Sequence, residues 1–262
     1  MAKLQSVFAV GIVLTLIALM GGVGIVAAIP SAAGHVAAAP GQTLRMLSHT
    51  SSSNWAGYAA STTTHGTVSK VSGSWVEPAV SCTSTTALAA FWVGIDGFNS
   101  GTVEQTGTLA QCYLGAASYY AWWEMYPLNA VQPISTMTIS AGDHFTATVT
   151  HKTGGTFTMY IKDITTGASF SKTATQSGTN RTSAECIAEA PSGSGGLFHL
   201  AKFGTVTFSS CTATISGKSG GIGTFGTVWA ITMTSSVAGK DKATVSSLTS
   251  NKTFHVTWKR AT

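Results

Sequence analysis

Gln105 in VEQTGT and Glu189 in AECIAEAP are the two side chains whose chemistry stands out. A carboxylate can take a proton from water, and a neighbouring amide can orient that water and donate an N–H to an oxyanion. Pairing a carboxylate with an amide avoids the like-charge coupling of two carboxylates. The plain alternative is a surface ion pair at Glu189 and a ladder-edge hydrogen bond at Gln105. Spacing alone leaves both readings open.

The setting of the acids is unusual. The chain has 9 Asp and Glu in 262 residues, and charged residues make up 9% of it, against about 25% in ordinary soluble domains. Five of the nine lie in three aromatic or apolar stretches. Asp96 and Glu104 are in WVGIDG and VEQTGT, Glu124 is in YYAWWEMYP, and Glu185 and Glu189 are in AECIAEAP. Charged side chains are rarely buried unless paired or functional, and a carboxyl in an apolar groove has a shifted pKa. Stability lost in acid comes from carboxylates forced to protonate, so a chain with few of them tolerates low pH. The net charge of +5 reflects missing acids. The basic residues are scattered, with no Arg cluster or basic helix of the kind nucleic acid requires. The seven histidines are dispersed and neither HExxH nor CxxC occurs, so neither a metal nor a cofactor is expected. Neither D-T-G nor D-S-G is present, which removes the aspartic-protease reading.

The elements that must carry these residues read as strands. From residue 51 onward, short runs rich in Thr, Val, Ser and aromatics alternate with Gly, Ser and Asn turns, and none has helical periodicity. The expected strands include NWAGYAA, ALAAFWVGID, SYYAWWEMY, TMTISA and SAECIAEA, and DITTGASF reads as a hairpin. The fold class expected is all-β, an antiparallel sandwich or barrel. Strand parity puts Trp92, Gly94 and Asp96 on one face. It likewise groups Tyr120, Trp122, Glu124 and Tyr126, and Glu185, Ile187 and Glu189. Such faces on a curved sheet make a groove of rings and carboxyls suited to a polymer.

Residues 1–39 read as an export signal, with an apolar run from Val7 to Ile29 and small residues at Ala28 and Ala39 for cleavage. The run is also long enough to span a bilayer if retained. Either way the remainder lies outside the cytoplasm, and the membrane is a partner only if the segment is uncleaved. Residues 40–50 read as a short pro-segment or linker, and 51–262 as one β domain. Cys82, Cys112, Cys186 and Cys211 allow three pairings. The pairs nearest in sequence, Cys82 with Cys112 and Cys186 with Cys211, are preferred.

Seven segments, SSSNWAGY, VSGSWVEPAV, FWVGIDG, VEQTGT, YYAWWEMYP, ISAGDHFTATV and AECIAEAP, occur in the order seen in the glutamic peptidases, or eqolisins. The resemblance covers roughly residues 51 to 258 and, as an ordered set, is far more specific than one short motif. It implies a sandwich of two large antiparallel sheets, similar to concanavalin-type lectins, and a secreted, pepstatin-insensitive acid endopeptidase acting on polypeptides as a monomer. By motif position Gln105 resembles the family's catalytic glutamine and Glu189 its catalytic glutamate. Trp92, Asp96 and Glu124 fall where the family has supporting active-site residues. Cys186 departs from the aromatic residue common in relatives.

The implied mechanism has ionised Glu189 deprotonating a water oriented by Gln105, with the Gln105 N–H holding the oxyanion and protonated Glu189 serving the leaving nitrogen. Asp96 and Glu124 are expected to hold the pair through hydrogen bonds, or to serve the inner face structurally. Glu104 and Glu185 read as bystanders. Two carbohydrate readings compete: a glycoside hydrolase with Glu124 and Glu189 flanking a glycosidic bond, and a binding module with Trp122 and Trp123 as sugar platforms.

Overall fold

The alternating pattern becomes strand after strand in this computed structural model, which describes residues 46–262. The export segment expected at residues 1–39 lies outside the described residues. The first strands are β1 (Met46–Ser52), β2 (Trp55–Ser61), β3 (Val68–Val76), β4 (Ala87–Asp96), β5 (Val103–Tyr113), β6 (Ala116–Tyr126) and β7 (Asn129–Pro133). Then come β8 (His144–His151), β9 (Thr156–Asp163), β10 (Ser169–Thr175) and β11 (Ser183–Glu189). Three two-residue pieces follow, β12 (Ser192–Gly193), β13 (Gly196–Leu197) and β14 (His199–Leu200). The chain closes with β15 (Thr205–Ile215), β16 (Lys218–Gly221), β17 (Thr227–Thr234), β18 (Asp241–Val245) and β19 (Phe254–Trp258).

One sheet runs β1-β17-β2-β11-β4-β5-β6-β7. The other runs β10-β9-β8-β3-β15-β16. Among the described strands, β1 with β17 and β14 with β4 pair in parallel; the other pairings are antiparallel. The fold is therefore the expected all-β sandwich. Strand β15 serves both sheets. Its first half pairs with β19 and its second with β3. The register shifts between Ser209 and Thr212, where Ser210 has φ 53°. An extra residue of this kind bends a strand and ends local pairing, which lets β15 leave one sheet for the other.

The main core fills the space between the sheets. Phe91, Val93 and Ile95 of β4 face Phe145, Val149, Phe157 and Ile161 of β8 and β9 within it. Trp75 stacks on Phe145 at 6.1 Å, and Phe208 on Phe254 at 5.1 Å. A second apolar cluster, with Trp55, Trp92, Trp122 and Ile187, covers the opposite face of the first sheet. That second face carries the candidate site.

The disulfides join Cys82 to Cys112 and Cys186 to Cys211. The second ties β11 to β15 just past its bulge, on the face of β11 away from Glu189. One expectation is corrected. TMTISA is not a strand: Met137 and Ile139 are buried, but the Met137 N–H bonds to Ile134 and the Ser140 N–H to Asp143. Alternation there sends side chains inward without a neighbouring ladder. Within the expected pro-segment or linker at 40–50, residues from Met46 form β1 and pair with β17. β1 is an edge strand of mostly polar residues, so it lacks the apolar alternation by which strands are read.

Candidate active site

Five adjacent strands, β2, β11, β4, β5 and β6, build one continuous face. Glu189 lies opposite Trp55 on β2 and Ala90 on β4. Gln105 lies opposite Gly94 on β4 and Glu124 on β6. The period of two that groups these residues in sequence holds across all five strands. Gln105 and Glu189 thus share a face, on β5 and β11, with β4 and its Trp92 between them.

Each side chain is held. The Glu189 Oε2 accepts the Trp92 indole N–H at 2.8 Å, and its Oε1 accepts the Asn54 amide N–H at 3.1 Å. Gln105 Nε2 donates to Glu124 Oε2 at 2.5 Å, and Gln105 Oε1 is buried without a partner. An amide nitrogen has two hydrogens, so one remains for a substrate. Glu189, Gln105, Glu124 and Trp92 are all buried.

Asn54 belongs to the matched segment SSSNWAGY, yet its role is not legible in it. Its own geometry is set by Ser52, whose hydroxyl donates to Asn54 Oδ1 at 3.1 Å and so turns the amide nitrogen toward Glu189. The Ala190 N–H donates to the Asn54 carbonyl at 2.8 Å, tying the two strand ends together.

Gly94 supplies space. A Cβ there would sit 2.8 Å from the Trp92 ring and 3.2 Å from Gln105 Cβ. Trp92 pairs with Ile187 in register, and the gap at Gly94 lets its ring lie beside Gln105 while its N–H reaches Glu189. Trp55 packs edge-on against it at 5.0 Å.

Burial sets the proton affinities. Desolvation pushes Glu189 up to about 8, while N–H groups of Trp92, Trp55 and Asn54 oppose the shift by favouring the anion. The Trp55 indole contributes to that balance although it falls short of hydrogen-bond geometry. Glu124 is raised well above the ordinary carboxyl range, by desolvation first, with the nearby Glu189 charge adding and Gln105 opposing. The site therefore holds its carboxyl protons in acid.

The other expected residues fall as follows. Asp96 accepts the backbone N–H groups of Arg181 at 2.6 Å and Thr182 at 2.8 Å. Its hydrogen bonds thus serve the approach to β11, and Gln105 and Glu189 are not among its partners. Glu104 faces the inter-sheet core and accepts from Gln176 at 3.2 Å. Glu185 shares the Gln105 row of the face, and both its oxygens are buried without a hydrogen-bond partner. Trp122 and Trp123 are buried, not offered as sugar platforms, because their strand is covered on both faces. Among the described residues, no three His, Cys, Asp or Glu side chains are placed to hold a metal ion.

Comparison with known proteins places this arrangement. A sequence model of the Peptidase A4 family matches residues 53–258. Aspergillopepsin-2 of Aspergillus niger is 35% identical over 196 residues, which is 65% of this chain and 67% of that one. Scytalidopepsin B of Scytalidium lignicola is 34% identical over 158 residues, 58% of this chain and 57% of that one. The crystal structure of scytalido-glutamic peptidase with a transition state analog inhibitor superposes with a TM-score of 0.67 at 27% identity, over 79% of this chain and 98% of that one. The match spans nearly all of the described sandwich, and the chain belongs to the Peptidase A4 family, the glutamic peptidases or eqolisins, as a glutamic-type peptide hydrolase.

Proposed function

We propose that the chain is an exported, pepstatin-insensitive endopeptidase that hydrolyses polypeptides in acid through Gln105 and Glu189. The observation that supports it most is the pair of N–H donors on the two Glu189 oxygens, facing an amide that Glu124 locks in place. The two disulfides fit an oxidising compartment outside the cytoplasm. The family match does not favour the carbohydrate readings, and Glu124 is committed to Gln105.

Burial changes the order of proton transfers from the one drawn from sequence. Glu189 enters the cycle protonated and donates to the oxygen of the scissile carbonyl as water adds to the carbon. Its other oxygen takes the proton that the water loses, so a gem-diol forms and Glu189 ends as it began. Gln105 Oε1 accepts from the attacking water, and the free Nε2–H holds the oxygen that gains charge. In the second step Glu189 protonates the amine nitrogen, the C–N bond breaks, and a diol proton returns to Glu189. The products are a carboxylic acid and an amine.

The test is cleavage of a denatured protein across pH, with and without pepstatin, beside Glu189→Gln and Gln105→Ala. Pepstatin should leave the rate unchanged. Glu189→Gln should lose essentially all activity, and Gln105→Ala roughly 10²–10³-fold of kcat. The rate should decline as pH climbs toward 8, where Glu189 loses its proton. A rate that instead rises with pH in step with ionisation of one carboxyl would return Glu189 to the role of base. Full activity in Glu189→Gln would remove it from the mechanism.

A further inference from the structure

Near Glu189 in the fold lies a pocket of about 290 Å³, lined by Ser53, Phe198, His199, Lys242, Ala261 and Thr262 among others. It is flanked by the two segments that frame Glu189. Ser53 immediately precedes Asn54, whose amide holds Glu189 Oε1. Phe198 follows the β12–β13 hairpin, which itself follows Glu189, and packs on the tryptophan cluster of the site.

Lys242 is the notable lining group. It is only 5% exposed, and Lys is almost never buried unless paired. Its ammonium has three hydrogens, and one is used, on the Ser53 carbonyl at 2.9 Å. Among the described residues no Asp or Glu side chain is hydrogen-bonded to it. Eight of the nine acids, namely Glu77, Asp96, Glu104, Glu124, Asp143, Asp163, Glu185 and Glu189, are themselves buried elsewhere. The ninth, Asp241, precedes it on β18, where the register against β17 shifts at Lys242. His199 in the same pocket brings no negative charge to offset it. Thr234 and Ser235 add hydroxyl groups to the lining beside the Phe198 ring.

We propose that this pocket is a substrate subsite for an acidic side chain, aspartate or glutamate, of the polypeptide cleaved at Glu189. Its volume lies just below the roughly 300–1,000 Å³ of sites for whole small ligands, which suits one side chain attached to a longer chain. The cationic exterior works in the same sense, because the field of the whole molecule draws acidic segments toward it. The inference rests on the peptidase reading and assigns that site a preference.

The experiment scans glutamate against glutamine through each position of a short peptide substrate, at about pH 5.5, where a peptide carboxyl is ionised. Cleavage by the full exported chain is compared with that by Lys242→Met and Lys242→Arg. At one position wild type should favour glutamate over glutamine in kcat/KM by roughly tenfold, Lys242→Met should bring the ratio to near one, and Lys242→Arg should keep part of it. A lysine that only tethers Ser53 would lower both rates equally and leave the ratio intact. A ratio near one at every position in wild type, or a ratio preserved in Lys242→Met, overturns the subsite. Absence of cleavage of any peptide overturns the peptidase reading. The subsite is then judged by the same ratio in dissociation constants, read from tryptophan fluorescence: a Lys242-dependent preference supports it, and equal affinities overturn it.

Discussion

At the scale of single residues, the candidate site depends on small groups as much as on Glu189. Gly94 leaves the volume into which the Trp92 ring fits, and Asn54 and Trp92 between them hold both oxygens of the carboxyl. Gly94→Ala would put a methyl group within 2.8 Å of that ring. Overpacking of this kind costs about 1–3 kcal/mol, and displacing a reacting group by an ångström can cost about 10²-fold in rate. The variant should therefore remain folded at low temperature and lose at least tenfold in kcat, which kinetics beside a thermal melt would establish. Wild-type kcat in this variant would show that Trp92 does not position Glu189. Asn54→Ala should likewise weaken catalysis more than stability, since its amide touches the carboxyl directly.

At the scale of elements, the site is aligned by what happens at strand ends. Asp96 closes β4 with φ 66°, a left-handed conformation that Asp tolerates better than most residues. From there it receives the backbone N–H groups of Arg181 and Thr182, which lead into β11 and so toward Glu189. Hydrogen bonds to charged groups contribute about 1.5–3 kcal/mol each. Asp96→Asn keeps one acceptor oxygen and should lower stability by about 1–3 kcal/mol, measured by urea unfolding, with activity falling only as the register of β11 loosens. An unchanged urea midpoint would reduce Asp96 to a passive end residue. The hairpin expected at DITTGASF is present between β9 and β10. The apolar positions of TMTISA alternate as those of a strand do, yet alternation reports burial and not the presence of a ladder partner.

At the scale of the whole molecule, the scarcity of acids has a different meaning once their places are known. The buried carboxyls accept hydrogen bonds from neutral donors, such as Thr108 to Glu77, Gln176 to Glu104 and Thr166 to Asp163. Desolvation is the largest cause that raises Glu77 and Glu189 to about 8 and Glu104 to about 9, and Glu124 and Glu185 well above 4.5. A raised folded pKa means that the native chain binds more protons than the unfolded one between about 4.5 and 8–9. This stability is fully present below about 4.5 and is lost as pH rises through the folded values. Denaturant midpoints should therefore fall from pH 4 to pH 8. Glu185→Gln should flatten that fall, because it removes one of the carboxyls that desolvation raises. A midpoint that increases over this range would contradict the assignment. Elsewhere uncharged cross-strand pairs, such as Thr158 with Thr173 at 2.9 Å and Ser72 with Thr148 at 2.7 Å, hold the exterior in a way that pH does not alter.

The sequence by itself determined the all-β class, the period-two grouping of Trp92 with Gly94, of Glu124 with Trp122 and of Glu189 with Glu185, and the family to which the ordered segments point. These are local properties, because successive strand residues point to opposite sides whatever the strand pairs with. Tertiary structure alone decided which strands are neighbours. Asn54 meets Glu189 across 135 residues and Lys242 meets Ser53 across 189, and no alternation pattern encodes such pairs. Burial was decided there too, because the same carboxyl is ionised at a wet edge and protonated between packed strands. The bonding of Asp96 to Arg181 and Thr182, and the place of Glu185 in the same face with its oxygens unbonded, followed from strand order.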